Sequence, residues 1–317
     1  MINKKSLQRC LLIFSCAIGF VLPAIAQNST FDFLLDDVGA RAAALGGSFV
    51  SMQNDPNAIF YNPGAVGTLD QRSISVGYFK HLLDINSGYA SFGTQVPGLG
   101  TIGAGVVYTN YGQFIQTGPE GENLGTFSAG EIAMGVDYSA ELAEGLHYGI
   151  GAKFIYSSIA GYSSTGAALD FGIHYVALPN RIILGASLMN LGTQINPYVT
   201  TREQLPLDLK AGAALMPEHL PATIYIDFHR LNETQDNLID HLRGYSIGVE
   251  FTTSPNLQLR GGYNNAERKD LQITDSADLA GFSLGFGITT GIYKFDYAFN
   301  SLGKIGALHR ISLGLNI

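Results

Sequence analysis

The feature that most constrains the fold is an alternation of apolar and polar side chains, with a period of two, that begins near residue 73. In the run Tyr293–Phe299, for example, four aromatic residues alternate with Lys294, Asp296 and Ala298. Successive side chains of a β-strand point to opposite faces of the sheet, so each such segment has one apolar and one largely polar face. The pattern therefore predicts an all-β protein.

About fourteen such segments follow one another, and each is long enough for the ~9–11 residues of a tilted membrane-spanning strand. We place them at 73–80, 87–96, 100–111, 126–139, 147–158, 165–177, 181–190, 206–216, 221–230, 244–253, 256–264, 279–290, 292–299 and 309–317. Short turns, such as 97–99 and 178–180, alternate with longer loops, such as 112–125, 158–164 and 191–205. This arrangement is typical of an antiparallel transmembrane β-barrel. A secreted β-sandwich is the alternative, but it has no reason to sort its loops in this way.

Residues 1–26 have the features of a cleaved signal peptide: three basic residues, an apolar run at 11–22, and a small-residue cleavage site that ends at Ala26. A lipoprotein signal that ends at Cys16 fits less well, because the apolar run continues past that residue. Both cysteines, Cys10 and Cys16, lie in this peptide, so the mature chain has no thiol for a disulfide or a metal site. We expect export to the bacterial outer membrane, with outer-membrane lipid around the barrel.

The composition of the full chain agrees with this expectation. No later apolar run reaches the ~20 residues that a membrane-spanning helix needs, while 39 glycines, 16 tyrosines, 18 phenylalanines and only 14% charged residues are present. Loss of the three basic residues of the signal leaves 15 Lys and Arg against 26 Asp and Glu, a net charge of −11. Such an acidic chain is not expected to bind nucleic acid.

The stretch before the first strand differs in composition, and residues 27–70 are called the N-terminal segment below. It is rich in alanine and glycine, which lets its backbone pack closely against neighbouring walls. Asn54-Asp55-Pro56 and Asn62-Pro63-Gly64 then predict two sharp turns, since proline fixes its own φ and restricts the residue before it. We expect this segment to fold as a hatch, or plug, inside the lumen of a barrel formed by 71–317.

Charged residues at every second position predict a polar network on the lumen side of the wall. Its members are Glu131, Asp137, Lys153, Asp170, His174, Asp208, Lys210, Asp227, His229, Glu250, Arg260, Lys294, Asp296 and Arg310. Because an unpaired buried charge is costly, we expect these groups to pair with one another or with Arg41 of the N-terminal segment. The network would then hold the segment in place.

The residues do not predict an enzyme. No GxSxG nucleophile motif is present, and the adjacent acid–base pair Asp240-His241 lies in a polar loop that fixes no geometry. The glycines of 98–103 match a dinucleotide pattern by letter, but period-two alternation rather than a helix follows them. The seven histidines are not spaced as metal ligands, so no catalytic residue, cofactor or metal is expected.

The run GARAAALGGSFVSMQNDPNAIFYNPGA at 39–65 resembles the N-terminal hatch signature of the FadL-like outer-membrane barrel superfamily and, within it, of the PorV/PorQ family of type IX secretion. The signature positions are Arg41, Gly46, Gly47, Asp55, Pro56, Asn62 and Pro63. Leu205-Pro206-Leu207, at the entry to the eighth segment, is also similar to the PorQ branch.

This resemblance implies a non-enzymatic outer-membrane component of type IX secretion and surface attachment. Its long loops would bind cargo, or partner proteins of the translocon or attachment complex. The alternative is a FadL-like transporter of hydrophobic small molecules, with an apolar pocket between segment and wall lined by Phe31, Phe33, Phe49 and Phe60. A structural barrel without cargo is a third possibility.

Overall fold

A computed structural model describes residues 29–233, 242–271 and 279–317. The predicted signal peptide and Asp240-His241 lie outside these residues. Within them, fourteen strands form one closed sheet. The strands are β1 Ser73–Lys80, β2 Asn86–Val96, β3 Gly100–Thr117, β4 Asn123–Ala143, β5 Leu146–Ile159, β6 Tyr162–Leu178, β7 Ile182–Asn196, β8 Asp208–Leu215, β9 Ala222–Phe228, β10 Tyr245–Ser254, β11 Leu257–Asn264, β12 Phe282–Thr290, β13 Tyr293–Ser301 and β14 Ala307–Asn316.

Each strand pairs antiparallel with its neighbours in sequence, and β1 pairs with β14 to close the barrel. The closing register runs from Ser73 opposite Asn316 to Lys80 opposite His309. This confirms the predicted antiparallel barrel and its strand number. Closure removes the sheet edges of the barrel wall itself, so the strands satisfy one another's backbone groups around the wall.

The two faces of the wall differ as the alternation predicts. Outward positions carry large apolar side chains, such as Val136, Leu284 and Leu313, which are 58%, 64% and 56% exposed. Inward positions on the same strands, such as Asp137 and Ser283, are buried. An apolar outer band around a polar interior is typical of a barrel in lipid. In the described part of the chain, no helix is both long enough and apolar enough to cross a membrane.

Two predicted loops are wrong. Most of 112–125 is strand, because β3 continues to Thr117 and β4 begins at Asn123, and only two residues separate β5 from β6 where 158–164 was expected to be a loop. Gly112, the first residue of the predicted loop 112–125, has a φ of 82° at a register shift within the β3–β4 pair. It therefore makes a bulge rather than a turn.

The extra length of β3 and β4 forms a two-stranded ribbon, residues 113–128, called the β3–β4 ribbon below. Pairing of β2 with β3 ends at Asn110 and pairing of β4 with β5 begins at Ala129, so the ribbon strands pair only with each other. Phe114 and Phe127 stack across it with ring centroids 5.3 Å apart. The ribbon has two open edges and an exposed aromatic side chain, Phe114.

The N-terminal segment consists of short helices joined by turns. These are the 3₁₀ helices η1, Asp32–Leu35, and η2, Pro56–Phe60, and the α-helices α1, Ala40–Ala44, and α2, Pro63–Val66. Helix α1 contacts β11–β14, whereas η2 contacts β1–β4 and α2 contacts β3–β7. Nearly every residue from 38 to 52 and from 55 to 66 is buried. The segment thus packs against the inward face of strands on opposite sides of the barrel.

Wall glycines make this close packing possible. A Cβ atom built on Gly149 would lie 2.2 Å from the Pro63 carbonyl carbon, and one on Gly172 would lie 2.0 Å from Asn62 Oδ1. On the other side, a Cβ on Gly262 would lie 2.2 Å from the Gly46 nitrogen. The backbone of the segment therefore occupies the space that a side chain would need at these three positions.

Gly149→Val should disrupt the packing of the segment, because the new side chain meets main-chain atoms that cannot rotate away. We expect a loss of at least about 1–3 kcal/mol, the usual cost of overpacking. Protease cleavage between residues 29 and 70 measures the effect in folded barrels. Gly135→Val is the matched control, since a Cβ there meets only one atom, the Ala152 carbonyl oxygen at 3.6 Å. Equal protease resistance in both variants would contradict the packing described.

Candidate functional site in the barrel lumen

Six charged side chains of alternating sign form a closed loop between the N-terminal segment and the wall, called the charge ring below. In order around the loop, the members are Arg41, Glu250, Arg260, Asp296, Lys294 and Asp55. Arg41 and Asp55 belong to the segment, and the other four project inward from β10, β11 and β13. Three positive and three negative groups make the ring neutral overall.

Arginine 41 makes the contacts that join the two halves of the ring. Its Nη2 and Nε donate to Glu250 Oε1 and Oε2 at 2.7 and 2.9 Å, and its Nη1 donates to Asp55 Oδ2 at 3.0 Å. A planar guanidinium that engages both oxygens of one carboxylate is the strongest geometry for such a pair. The contact with Asp55 uses the remaining edge of the same group, so Arg41 fixes η2 as well as α1.

The wall side of the ring depends on Arg260. Its Nε donates to Glu250 Oε2 at 2.7 Å and its Nη1 to Asp296 Oδ1 at 2.6 Å. To reach Asp296 the side chain passes over β12 at Gly287, where a Cβ would lie 2.6 Å from both Arg260 Nη2 and Asp296 Oδ1. The absence of a side chain at this glycine allows the wall pair to form.

Lysine 294 closes the ring, with its Nζ 3.3 Å from Asp55 Oδ2 and 3.6 Å from Asp296 Oδ2. Burial would raise the pKa of Asp55, but the nearby charges of Lys294 and Arg41 lower it below its ordinary value. Asp55 is therefore ionised at neutral pH although its side chain is only 3% exposed. Both cations stabilise this charge. Removal of either one would leave the buried carboxylate with a single cationic partner.

The other signature residues shape the backbone of the segment. Asp55 caps η2 by accepting from the Asn57 nitrogen at 3.0 Å, and Asn62 caps α2 by accepting from the Gly64 nitrogen at 2.9 Å. Pro56 and Pro63 are the first residues of these helices, where the missing N–H costs nothing.

Gly46 and Gly47 follow α1 with φ values of 66° and 81°. Their nitrogens donate to the carbonyl oxygens of Ala43 and Ala42, which ends the helix. A Cβ on Gly46 would also lie 2.8 Å from the Tyr263 nitrogen. Glycine is therefore required here both for the left-handed turn and for the close approach to β11.

Small polar residues of the wall, which the sequence analysis did not single out, bind the backbone of the segment. Ser283 and Asn300 donate to the carbonyl oxygens of Ala44 and Ala43 at 3.2 and 2.9 Å, which satisfies the end of α1. Ser187 donates to the Tyr61 carbonyl oxygen at 2.7 Å. The available signal was the small or polar residue at inward positions of these strands, such as Gly185 and Ser187 of β7 or Ser283 and Gly285 of β12.

The remaining lumen residues lie on the inward face in separate groups. Lys153 Nζ is 3.1 Å from Asp170 Oδ2, and Lys210 Nζ is 3.2 Å from Asp208 Oδ2. These pairs lie within the wall and do not touch the charge ring. Also inward are Glu131, Asp137 and His229. The predicted network is thus divided into several local contacts.

Aspartate 227 is the wall group that holds the middle of the segment. Its Oδ2 accepts from the nitrogens of Phe49 and Val50 at 2.6 and 2.8 Å. The ring of His174 lies beside the next residue, with Nε2 3.4 Å from the Ser51 carbonyl oxygen. Both side chains recognise main-chain atoms, so they position the segment whatever side chains it carries.

The four phenylalanines predicted to line an apolar pocket lie in two packed clusters. Phe31 and Phe33 pack with wall residues that include Phe79, and Phe49 packs with a second set around Tyr61. Phe60 lies at the border of both clusters. The geometry thus brings Phe31 and Phe33 together but separates them from Phe49.

A cavity of about 940 Å³ lies above the segment, at the barrel end that carries the longer connections. Its lining includes seven Asp and Glu side chains against three Lys and Arg: Asp32, Asp36, Asp37, Asp208, Glu233, Glu267, Asp270, Lys210, Arg230 and Arg310. His81 and His229 also line it, and burial followed by nearby cations lowers the pKa of each to about 4. Both histidines are therefore neutral at pH 7, and the cavity is negatively charged.

Two of these carboxyls have raised pKa values. Asp36 faces the open cavity but lies deep within the barrel, where burial and the neighbouring Asp37 raise its pKa to about 6 against the opposing effect of Arg310. Burial and the charge of Asp37 likewise raise the pKa of Glu267 to about 7. Glu267 belongs to the short helix α3, Asn265–Asp270, which follows β11. The two carboxyls lack enough positive charge around them for full stabilisation.

The chain matches no protein-family model and no curated protein sequence. Solved structures do resemble it. The Ralstonia pickettii toluene transporter TbuX superimposes with a TM-score of 0.61 at 12% identity, over 90% of this chain and 100% of that one. The P. putida toluene transporter TodX gives 0.61 at 14% identity, over 89% and 99%. A Pseudomonas aeruginosa FadL homologue gives 0.53 at 10% identity, over 88% and 98%. The chain therefore has the fold of FadL-like barrels.

Arg41→Ala should loosen the N-terminal segment, because it leaves Glu250 and Asp55 without their shared partner. Removing one member of a buried pair costs about 3–5 kcal/mol, and hydrogen exchange of residues 40–60 measures the loss. Arg181→Ala is the control, because Arg181 pairs with Glu218 at the surface with side chains 47% and 60% exposed. That pair is worth about 0–1 kcal/mol. Unchanged exchange in Arg41→Ala would show that the ring does not hold the segment.

Proposed function

We propose that this protein is a FadL-like transport barrel of the bacterial outer membrane, in which the N-terminal segment closes the lumen to a small molecule. The fold of the solved neighbours supports the architecture, and the apolar outer band supports the membrane location. Those neighbours are described as transporters of toluene and as a FadL homologue, and none is described as an enzyme.

The observation that carries the proposal is the way the segment is attached. Among the described residues, one isolated bridge, from Ser29 to Gln204 of the β7–β8 connection, is the only β-pairing that the segment makes. All other contacts are side-chain hydrogen bonds, ion pairs and packing, which can break without opening the barrel sheet. A movable gate requires a wall that is stable by itself and a segment that is attached to it through polar contacts.

The hydrophobic class of substrate remains a prediction. It draws on the sequence resemblance and on the hydrocarbons named for the neighbours. Phe31, Phe33 and Phe49 are packed in the closed state, so a hydrocarbon would have to separate these clusters to pass. The transport proposal therefore requires only that a small molecule passes through the lumen, and it does not depend on that molecule being hydrophobic.

A role in type IX secretion is the second candidate, and the β3–β4 ribbon is the observation that favours it. Open strand edges and an exposed aromatic side chain suit addition of a partner strand. The sequence motif at 39–65, which resembles the N-terminal signature of the PorV/PorQ family, supports the same function. Translocon or attachment-complex proteins and their cargo would be the partners.

Electrical conductance across a lipid bilayer tests the transport proposal. We expect small conductance for the wild-type protein, because the segment fills the lumen, and at least a several-fold increase for Arg41→Glu, which sets three carboxylates against one another. Arg181→Glu, outside the ring, should behave as wild type. Equal conductance in wild type and Arg41→Glu would contradict a gate held by the ring.

Co-purification separates the second candidate from the first. The protein is captured from gently solubilised outer membranes, with a ribbon variant, Phe114→Ser, alongside. The secretion role predicts secretion proteins that are captured by the wild type and lost in Phe114→Ser. Recovery of the barrel without any protein partner would count against secretion and leave the conductance result unaffected.

A further inference from the structure

The cavity above the N-terminal segment has the size and position of a binding site. Its volume of about 940 Å³ lies at the upper end of the ~300–1,000 Å³ range of small-molecule sites. Its lining includes Asp36 and Asp37 of the segment, Glu267 of α3 and Arg310 of β14. A molecule that enters from the outer end therefore meets this cavity before it meets the segment.

The charges of the lining favour a positively charged group. Two of the three cations of the lining already have acidic partners: Lys210 pairs with Asp208, and Arg230 Nε lies 3.9 Å from Glu233 Oε1. Among the residues that the structure describes, Asp36, Asp37 and Glu267 form no ion pair with any side chain, although the three carboxyls repel one another electrostatically. An ammonium group placed among them would relieve that repulsion.

Arginine 310 supplies an independent observation. It is only 6% exposed, its Nη1 donates to the Asp37 carbonyl oxygen at 3.0 Å, and its guanidinium lies over the Phe79 ring at 5.2 Å. Its Nε has no hydrogen-bond partner in the described chain. A buried guanidinium N–H without an acceptor is costly. Because Arg310 lines the cavity, a ligand carboxylate there would stabilise its incompletely paired guanidinium.

We propose that this cavity binds a small zwitterion, an amino acid or a short peptide, with its ammonium group among Asp36, Asp37 and Glu267 and its carboxylate toward Arg310. The inference rests on the proposed transport function for its role, since the cavity would then select what reaches the segment. It assigns a polar substrate class where the solved neighbours are described as carrying hydrocarbons.

Calorimetric titration of the mature protein in detergent micelles tests the assignment with four probes. The dipeptide Ala-Ala carries both charges, N-acetyl-Ala-Ala lacks the ammonium group, Ala-Ala amide lacks the carboxylate, and toluene lacks both. We expect Ala-Ala to bind, and each of the two blocked forms to bind at least tenfold more weakly. Toluene should not compete. Absence of Ala-Ala binding, or equal binding of the acetylated form, would overturn the proposal, as would displacement of Ala-Ala by toluene.

Variants connect the binding to the named groups. Glu267→Gln and Asp36→Asn each keep the size of the side chain and remove one carboxylate, so each should weaken Ala-Ala binding about tenfold. Glu120→Gln, an exposed acid on the turn of the β3–β4 ribbon, is the control and should bind as wild type. Unchanged binding in both cavity variants would place the ligand elsewhere and overturn the assignment.

The outcomes distinguish this inference from the transport proposal. If the conductance of Arg41→Glu rises but Ala-Ala does not bind, the gate stands and the substrate assignment fails. If Ala-Ala binds with the expected dependence on both charges but the ring variant does not conduct, the cavity is a recognition site and the transport proposal fails.

Discussion

The structure depends on one electrostatic constraint: charges inside a barrel must find partners inside it. The outward face of the wall is largely apolar, so inward carboxylates and cations can be compensated only by one another or by whatever fills the lumen. The charge ring meets this constraint with six groups, and two of them, Arg41 and Asp55, come from the N-terminal segment. Without the segment, Glu250 and Lys294 would each lose a partner. The two segment groups and the four wall groups are each neutral in sum, so the segment supplies Glu250 and Lys294 with further partners and adds no net charge.

Steric fit supports the same arrangement. The segment reaches the ring only because wall glycines, among them Gly149, Gly172 and Gly262, leave room for its backbone. Ser187, Ser283 and Asn300 of the wall donate hydrogen bonds to its carbonyl oxygens. Since these contacts recognise main-chain atoms, they hold the segment in a fixed place but form no β-ladder with it. The wall strands are joined by β-ladders, whereas the segment is not. This difference is the physical basis for proposing that the segment is a gate.

Much of the fold was predictable, because period-two alternation decides which face of each strand points outward. The run Tyr293–Phe299 shows this well, as its charged positions are inward and its aromatic positions outward. The partners of each charge were not predictable, because Arg260 pairs with Asp296 across an intervening strand at Gly287. The ends of β3 and β4 were also misplaced, since their pairing continues past the bulge at Gly112. The acidic outer cavity was missed, because residues far apart in sequence form it.

A designed disulfide tests most directly whether the segment lies against the wall as described. The hydroxyl oxygens of Ser48 and Ser246 are 2.8 Å apart, and both side chains are fully buried. Because both natural cysteines lie in the predicted signal peptide, Ser48→Cys with Ser246→Cys gives one possible pair, whose sulfur atoms would replace two oxygens already in contact. Mass spectrometry of oxidised outer membranes should find the two peptides cross-linked in nearly all molecules. A folded barrel in which both thiols stay reduced and react with an alkylating reagent would contradict the account.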